Sequence, residues 1–388
     1  MIVRTSRPVR GRIPLTITGS RPPLHLRAVV LPEGEQRDLW VDEGGLISDE
    51  AVPGAQTVTT RGWVVPGLVD AHCHVGLEAH GGVDEAEQEK QILADRDAGA
   101  LLLRDAGAPV DTHWIDERED LPRLVRAGRH IARTRRYLRH YGAEVEPGDL
   151  VAEVERQAAR GDGWVKLVGD WIDRDTGDLE RCWPADIAAA AISRAHELGS
   201  RVTAHCFGEQ SVAELVGAGI DCIEHGTGIS DDVIGEMARR GTALVPTRVQ
   251  LDNFPAYAEQ AAEKFPTYAA HMRSLHTRCD ERLRAAFDAG VAIFAGTDAG
   301  GVLAHGLVAE EVHALHRQVG LPAEAALGAA SWAARTWLGH PGLAAGDPAD
   351  LVLYDTDPRA DLRALAHPRL VVLRGRVLPI RRGARGLA

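Results

Sequence analysis

The sequence predicts an α/β fold: a (β/α)₈ TIM barrel with a small β-sandwich formed by the N- and C-terminal segments. Three observations lead there. Between about Trp63 and Gly300, short apolar runs alternate with helix-like segments, several of which close on a glycine that can serve as a C-cap. Polar residues with metal-ligating chemistry stand at the ends of many of these runs, which is where a barrel carries its chemistry. Both flanks lack the alternation and read as short strands with turn signals.

Taken in order, residues about 24–62 (LHLRAVVLPEGEQRDLWVDEGGLISDE, then TVTT) show no helical period and form the first half of the β-sandwich. The barrel strands follow as WVVPGLVDAHCH (63–74), ALLLRDAG (100–107), LVRAGRHIA (124–132) and WVKLVGDW (164–171). RVTAHCF (201–207), IDCIEHG (220–226), TALVPTRV (242–249) and VAIFAGTDAG (291–300) complete the set. Helices such as PADIAAAAISRAHELG, SVAELVGAG and DDVIGEMARRG separate them. An open doubly wound sheet is the rival, and it lacks its glycine fingerprint after the first strand. The long segment from Leu251 to Arg282, rich in alanine, aromatics and charge, predicts helices over the mouth of the barrel. Residues about 349–380 (ADLVLYD, LVVLRGRVL) return to strand character. The expected domains are therefore 1–62 and 346–388 for the two parts of the sandwich, with 63–345 as the barrel.

The chain has 388 residues and a net charge of -12 with no basic face, which argues against a nucleic-acid partner. No window approaches the roughly 18 to 20 apolar residues of a membrane span, and the N-terminus lacks a signal-peptide core. The expectation is a soluble cytoplasmic protein acting on a small molecule, compatible with a homo-oligomer. Cys73, Cys182, Cys206, Cys222 and Cys279 are widely spaced without a CxxC pair, which fits a reducing compartment.

His72 and His74 form an HxH at the end of the first strand, where side chains two apart point the same way and can grip one ion. His205, His225 and Asp298 end the fifth, sixth and eighth strands. Each alone has the bland reading of a strand cap; together they suggest a metal site. Lys166 lies in the apolar run WVKLVGD, where a bare ammonium is costly to desolvate. Of 44 basic residues only Lys90, Lys166 and Lys264 are lysine, so a lysine in a buried strand points to chemistry that arginine cannot perform. Its neutral amine can add carbon dioxide to give an anionic carbamate able to bridge two cations. The alternative is an ion pair with a carboxylate such as Asp170 or Asp105.

The strings VVPGLVDAHCHVG, AHCFGEQSVAELVGAGIDCIEHG, FAGTDAG and GDPADLVLYD, with the strand-borne Lys166, resemble the amidohydrolase superfamily, in its prolidase-like and imidazolonepropionase-like branch. The resemblance implies two divalent metal ions, zinc by default: His72, His74 and Asp298 on the first, His205 and His225 on the second, carboxylated Lys166 bridging. It implies hydrolysis of an amide, of an N-acyl amino acid or dipeptide, by a metal-bound hydroxide, with Asp298 as catalytic acid and base. A one-metal cyclic-amide hydrolase or heterocycle deaminase, a lactonase or phosphotriesterase, and a non-catalytic scaffold are the competing readings. The chain departs from the group after the third strand, where RTRRYLRHYGAE can present His140 or Tyr141 to substrate. Arg248 is a candidate carboxylate clamp, and Arg135, Arg136 and Arg139 are alternatives, against the plainer reading of solvated arginines.

Overall fold

The computed structural model describes residues 21–380. Those parts of the expected domains at 1–20 and 381–388 lie outside the described residues. The chain enters through β1 (Leu24–Val30), β2 (Glu35–Val41), β3 (Ile47–Ser48), β4 (Gln56–Thr59) and β5 (Trp63–Pro66). Along β1 the residues Leu24, Leu26, Ala28 and Val30 are buried and Arg27 is exposed, the period-2 signature of a strand with one covered face.

The wall that positions the site follows as β6 (Leu68–Glu78), with β7 (Gly81–Gly82) folded back on it, α1 (Glu85–Asp97) and β8 (Ala100–Asp105). Next come β9 (Arg123–Arg126), β10 (Ile131–Arg133), β11 (Ala143–Val145), α2 (Leu150–Ala158), β12 (Trp164–Val168) and a hairpin of β13 (Asp170–Ile172) and β14 (Leu179–Arg181). The series continues with α3 (Ala185–Glu197), β15 (Arg201–Cys206), α4 (Glu209–Gly217), β16 (Cys222–His225), α5 (Asp231–Arg240) and β17 (Ala243–Val245). After β17 lie α6 (Arg248–Leu251), α7 (Phe254–Ala261) and α8 (Pro266–Asp288), then β18 (Ala299–Gly301), α9 (Val308–Arg317), α10 (Ala323–Ala329) and α11 (Trp332–Trp337). The strands β19 (Leu351–Tyr354), β20 (Leu370–Leu373) and β21 (Arg376–Leu378) close the chain.

The wall strands pair in parallel in two arcs, β18-β6-β8-β9 and β11-β10-β12-β15-β16-β17, with helices packed outside: a TIM-barrel-like α/β fold. The two ends of the chain share one sheet ordered β21-β20-β19-β5-β1-β2-β3, with β4 on β1. No helix among the described residues is long and apolar enough to cross a membrane.

Five expected strands differ from their sequence reading. The run 63–74 divides at Gly67, because β5 pairs with β19 in the end sheet while β6 enters the wall. A Cβ at Gly67 would stand 2.8 Å from Leu101, so only glycine passes between the two layers. The third run breaks between Arg126 and Ile131, around Gly128 with φ 69°. The seventh ends at Val245, because Thr247 turns the backbone into the left-handed region at φ 48° and Arg248 opens α6. The fourth ends at Val168, with Asp170 onward in the separate β13-β14 hairpin, and the eighth (291–300) is regular strand only from Ala299, in β18.

Candidate metal centre

Buried side chains of the wall strands pack against one another and against α11. Trp164 stacks edge-on to Trp337, and the Arg104 and Arg201 guanidiniums lie 4.8 Å and 4.2 Å from the Trp164 ring. Above it, Arg104 of β8 donates to Glu224 of β16 at 2.9 Å, and the Lys166 ammonium of β12 touches the other oxygen of Glu224. All three are buried. Above these, at the C-terminal ends of the strands, stand His72, His74, His205, His225 and Asp298.

The register of β6 against β8 shifts between Asp70 and Cys73, and such a bulge re-aims the side chains that follow. Asp70 anchors the turn by accepting from the amides of His72 and Thr297 at 3.1 and 3.0 Å and from the Thr297 hydroxyl at 2.5 Å. His72 Nε2 and His74 Nε2 then lie 3.2 Å apart, at 3.0 and 3.1 Å from Asp298 Oδ1. His205 and His225 stand alongside, with ring centroids 4.7 Å apart and His225 5.4 Å from His72. His225 and Asp298 both adopt positive φ, at 65° and 59°. Non-glycine residues held there cost roughly 1–3 kcal/mol each and cluster at functional sites.

The donor set fits a cation. His74 Nδ1 donates to the Gly107 carbonyl at 2.7 Å, which leaves Nε2 as a lone pair aimed at Asp298. Burial, then the Lys166 charge, pushes His72 down to about 4, and burial holds His205 and His225 well below the usual histidine range. Burial opposes ionisation of Asp298, but His72 and His74 outweigh it and hold its carboxyl well below the usual range. Two histidine nitrogens 3.2 Å apart thus compete for one carboxylate oxygen. A positive ion among the three resolves that conflict, and among the described residues these ligand atoms form the group able to hold one, all within 4.8 Å of one another. His205 Nε2 is buried without a hydrogen-bond partner, and His225 Nδ1 shares a hydrogen bond with Thr247 Oγ1 at 2.7 Å, freeing its Nε2.

Burial pushes the Lys166 amine down to about 7. Neither carboxylate expected as its partner serves. Asp170 accepts from the amides of Phe207 and Gly208, and Asp105 from Gly107, whereas Glu224 meets the ammonium.

The model of the amidohydrolase family matches residues 179–378. The chain belongs to the amidohydrolase family. It is 55% identical over 354 residues to an uncharacterized protein of Mycobacterium tuberculosis, covering 91% of this chain and 95% of that one. Among solved structures, an Xaa-Pro dipeptidase with methionine bound in its active site superposes with TM-score 0.77 at 20% identity, over 92% of this chain and 99% of that one. Ochratoxinase of A. niger superposes with TM-score 0.76 at 19% identity, over 92% and 95%. The chain thus has the fold of prolidase-like amidohydrolases.

Within this amidohydrolase the other sequence candidates separate. Tyr141 is buried, with its ring 6.3 Å from His130 and its hydroxyl beside Gly301 at the end of the eighth run. His140 is exposed at φ 69° on the same loop. The expectation for Arg248 is corrected. Its fork is occupied by Asp280 at 2.5 and 3.2 Å and Asp252 at 2.6 Å, its side chain is 5% exposed, and it fastens α6 to α8. Two residues escaped sequence reading. His130 is buried with its ring 5.8 Å from that of His74 and its Nε2 without a partner. Glu224 is the other. The available signal was a histidine in the third apolar run, obscured by the break in that strand.

Proposed function

We propose that the protein is a metal-dependent hydrolase that cleaves a carbon–nitrogen bond, the amide of an N-acyl amino acid or dipeptide, at a pair of divalent ions. The carrying observation is the convergence of ligand atoms of His72, His74 and Asp298 within 4.8 Å of one another, beside two further histidines that burial holds neutral. His72, His74 and Asp298 would hold one ion and His205 and His225 the second, with a carbamate on Lys166 joining them. With its amine pushed down to about 7, Lys166 is substantially neutral near physiological pH. Its nitrogen can then bond to the carbon of carbon dioxide and release a proton to solvent. Bound there, the ions, zinc by default, would supply Lewis acidity and a water that ionises near neutral pH.

The chain's own residues do the rest. Asp298 takes the proton of the attacking water on a carboxylate oxygen and returns it to the leaving nitrogen. The Gly107 carbonyl and Thr247 hydroxyl hold His74 and His225 in the tautomers that keep their Nε2 lone pairs inward. Tyr141 and His140 contact the substrate from the third loop.

One observation favours a one-metal alternative, a cyclic-amide hydrolase or deaminase: the Lys166 ammonium meets Glu224. Metal counting on gently purified protein separates the two, near two equivalents per chain supporting our reading and near one the alternative. Lys166→Ala should lose activity on the order of a hundredfold or more, with partial rescue by short carboxylic acids. Absence of rescue would leave Lys166 a structural role only.

We further propose that the two arcs close into a (β/α)₈ barrel. Hydrogen bonds from the segment before β18 support this: Phe294 N to Leu244 O at 3.0 Å on one side, and Ala71 N to Ala295 O at 2.8 Å on the other. On the opposite side the third run itself links the arcs, β9 pairing with β8 and β10 with β12. Of the described residues, the end domain would comprise 21–66, four residues beyond the expected boundary at 62 because β5 joins its sheet, together with 346–380, packed on that barrel. The five cysteines, all buried and free, support a reducing, cytoplasmic setting.

A further inference from the structure

Beside the metal centre, the loop after the third strand and the β13-β14 turn enclose a pocket of about 540 Å³ lined by Arg129, Arg135, Arg139, Arg174 and Tyr137, with Glu144 as the acidic residue of the lining. Its placement is built. Arg136, between two pocket arginines in sequence, points the other way, pairing with Asp173 at 2.5 Å and donating to the carbonyls of Trp171 and Glu180 at 3.1 and 3.0 Å. That strap ties the loop to the hairpin and brings Arg174 opposite Arg135 and Arg139. Arg129 Nε donates to the Tyr141 carbonyl at 3.0 Å, and Arg135 is held at φ 62°, a conformation that needs such fastening.

Single arginines without a carboxylate partner occur elsewhere on the described surface, as at Arg160 and Arg273; what sets this place apart is that several line one concavity. Arg118, Arg126, Arg136, Arg248 and Arg278 all pair with carboxylates, as expected where the net charge is -12. Among the described residues, Arg135, Arg139 and Arg174 have no carboxylate within ion-pair distance. Free guanidiniums gathered in a concavity are poised for bidentate capture of an anion. The inner wall is Tyr137, whose ring lies 5.7 Å from that of His205 and 5.3 Å from that of His130, so the pocket borders the metal centre directly.

We propose that this pocket is the specificity subsite for a second anionic group of the substrate, selecting N-acyl amino acids or dipeptides that carry an acidic side chain. The proposal rests on the amide-hydrolase reading for its chemistry but not for its binding step. Binding of the non-hydrolysable N-methylsulfonyl-L-glutamate and N-methylsulfonyl-L-glutamine to the metal-replete protein is the direct test. The glutamate compound should bind at least tenfold tighter, the preference should shrink with added salt, and Arg139→Gln/Arg174→Gln should bring the ratio near one. Arg273→Gln, which removes an exposed arginine elsewhere, should leave the ratio as it is. The same discrimination should appear as a KM difference between N-acetyl-L-glutamate and N-acetyl-L-glutamine. Equal binding of the two sulfonyl compounds, or a preference that survives the double substitution, overturns the subsite. Selective binding without hydrolysis of any acylated amino acid or dipeptide would instead refute the amide-hydrolase reading and leave the anion pocket standing.

Discussion

Glu224 and His225 are neighbours in the chain, yet both turn to the same side of the wall, Glu224 toward Lys166 and Arg104 and His225 toward His205. Strict alternation along a strand would send one of them outward. The left-handed φ of 65° at His225 is what breaks it, so a reading by alternation found the histidine and missed the glutamate. His72, His74, Lys166, His205 and Asp298 were legible because each is chemically out of place in an apolar run; His130 and Glu224 were hidden by irregular backbone. Glu224 also reaches within 3.3 Å of His72 Nδ1, so under the proposed metal site it would stand behind a ligand as well as beside Arg104 and Lys166. Glu224→Gln should lower metal affinity roughly 10- to 100-fold, measured by chelator competition, because outer carboxylates fix and polarise metal-binding histidines. Unchanged affinity would mean that Glu224 serves only the buried charges.

At the scale of elements, α8 is held over the hairpin and α4 by one histidine. His271 Nδ1 lies 2.9 Å from Asp178 and Nε2 2.9 Å from Glu209, and Arg278 joins Glu209 one turn pair further on. The Glu209 hydrogen bond leads in raising His271 to about 9, and the His271 hydrogen bond leads in holding Glu209 down to about 2. The signs set a window. The raised histidine stabilises fully below its ordinary 6.5 and fades as pH climbs through about 9; the depressed glutamate stabilises fully above its ordinary 4.5 and fades as pH falls toward about 2. Hydrogen-exchange protection of α8 should therefore be greatest between about pH 4.5 and 6.5 and decline toward pH 9. His271→Gln should flatten the alkaline limb and cost about 1 kcal/mol of stability, since solvent reaches the cluster. The alanine- and aromatic-rich composition of 251–282 predicted helices here, and α6, α7 and α8 are what formed. Their fastening depends on partners 62 and 93 residues away, which no local pattern announces.

At the scale of the molecule, the ends of the chain are interleaved. β5 lies between β1 and β19, and Leu351, Leu353 and Val372 are buried in the same cluster as Leu24, Leu26 and Leu39. Deleting residues 346–388 would strip β5 of its neighbour and uncover that cluster, so the shortened protein should lose its cooperative thermal transition by circular dichroism and fall in soluble yield. A sharp transition retained after the deletion would show that the wall and helices fold without the end sheet.

The barrel-like alternation, the strand character of both flanks and most of the side chains that converge in the candidate metal centre were determined by the sequence itself, because hydrophobic periodicity and misplaced polar residues are local properties. Tertiary structure alone decided the split at Gly67, the partner of Lys166, the engagement of Arg248 with Asp280 and the gathering of unpaired arginines beside Tyr137. The reason is physical. Each depends on which backbone turns left-handed and which distant strand or helix arrives alongside, and those contacts exist only once the chain has closed on itself.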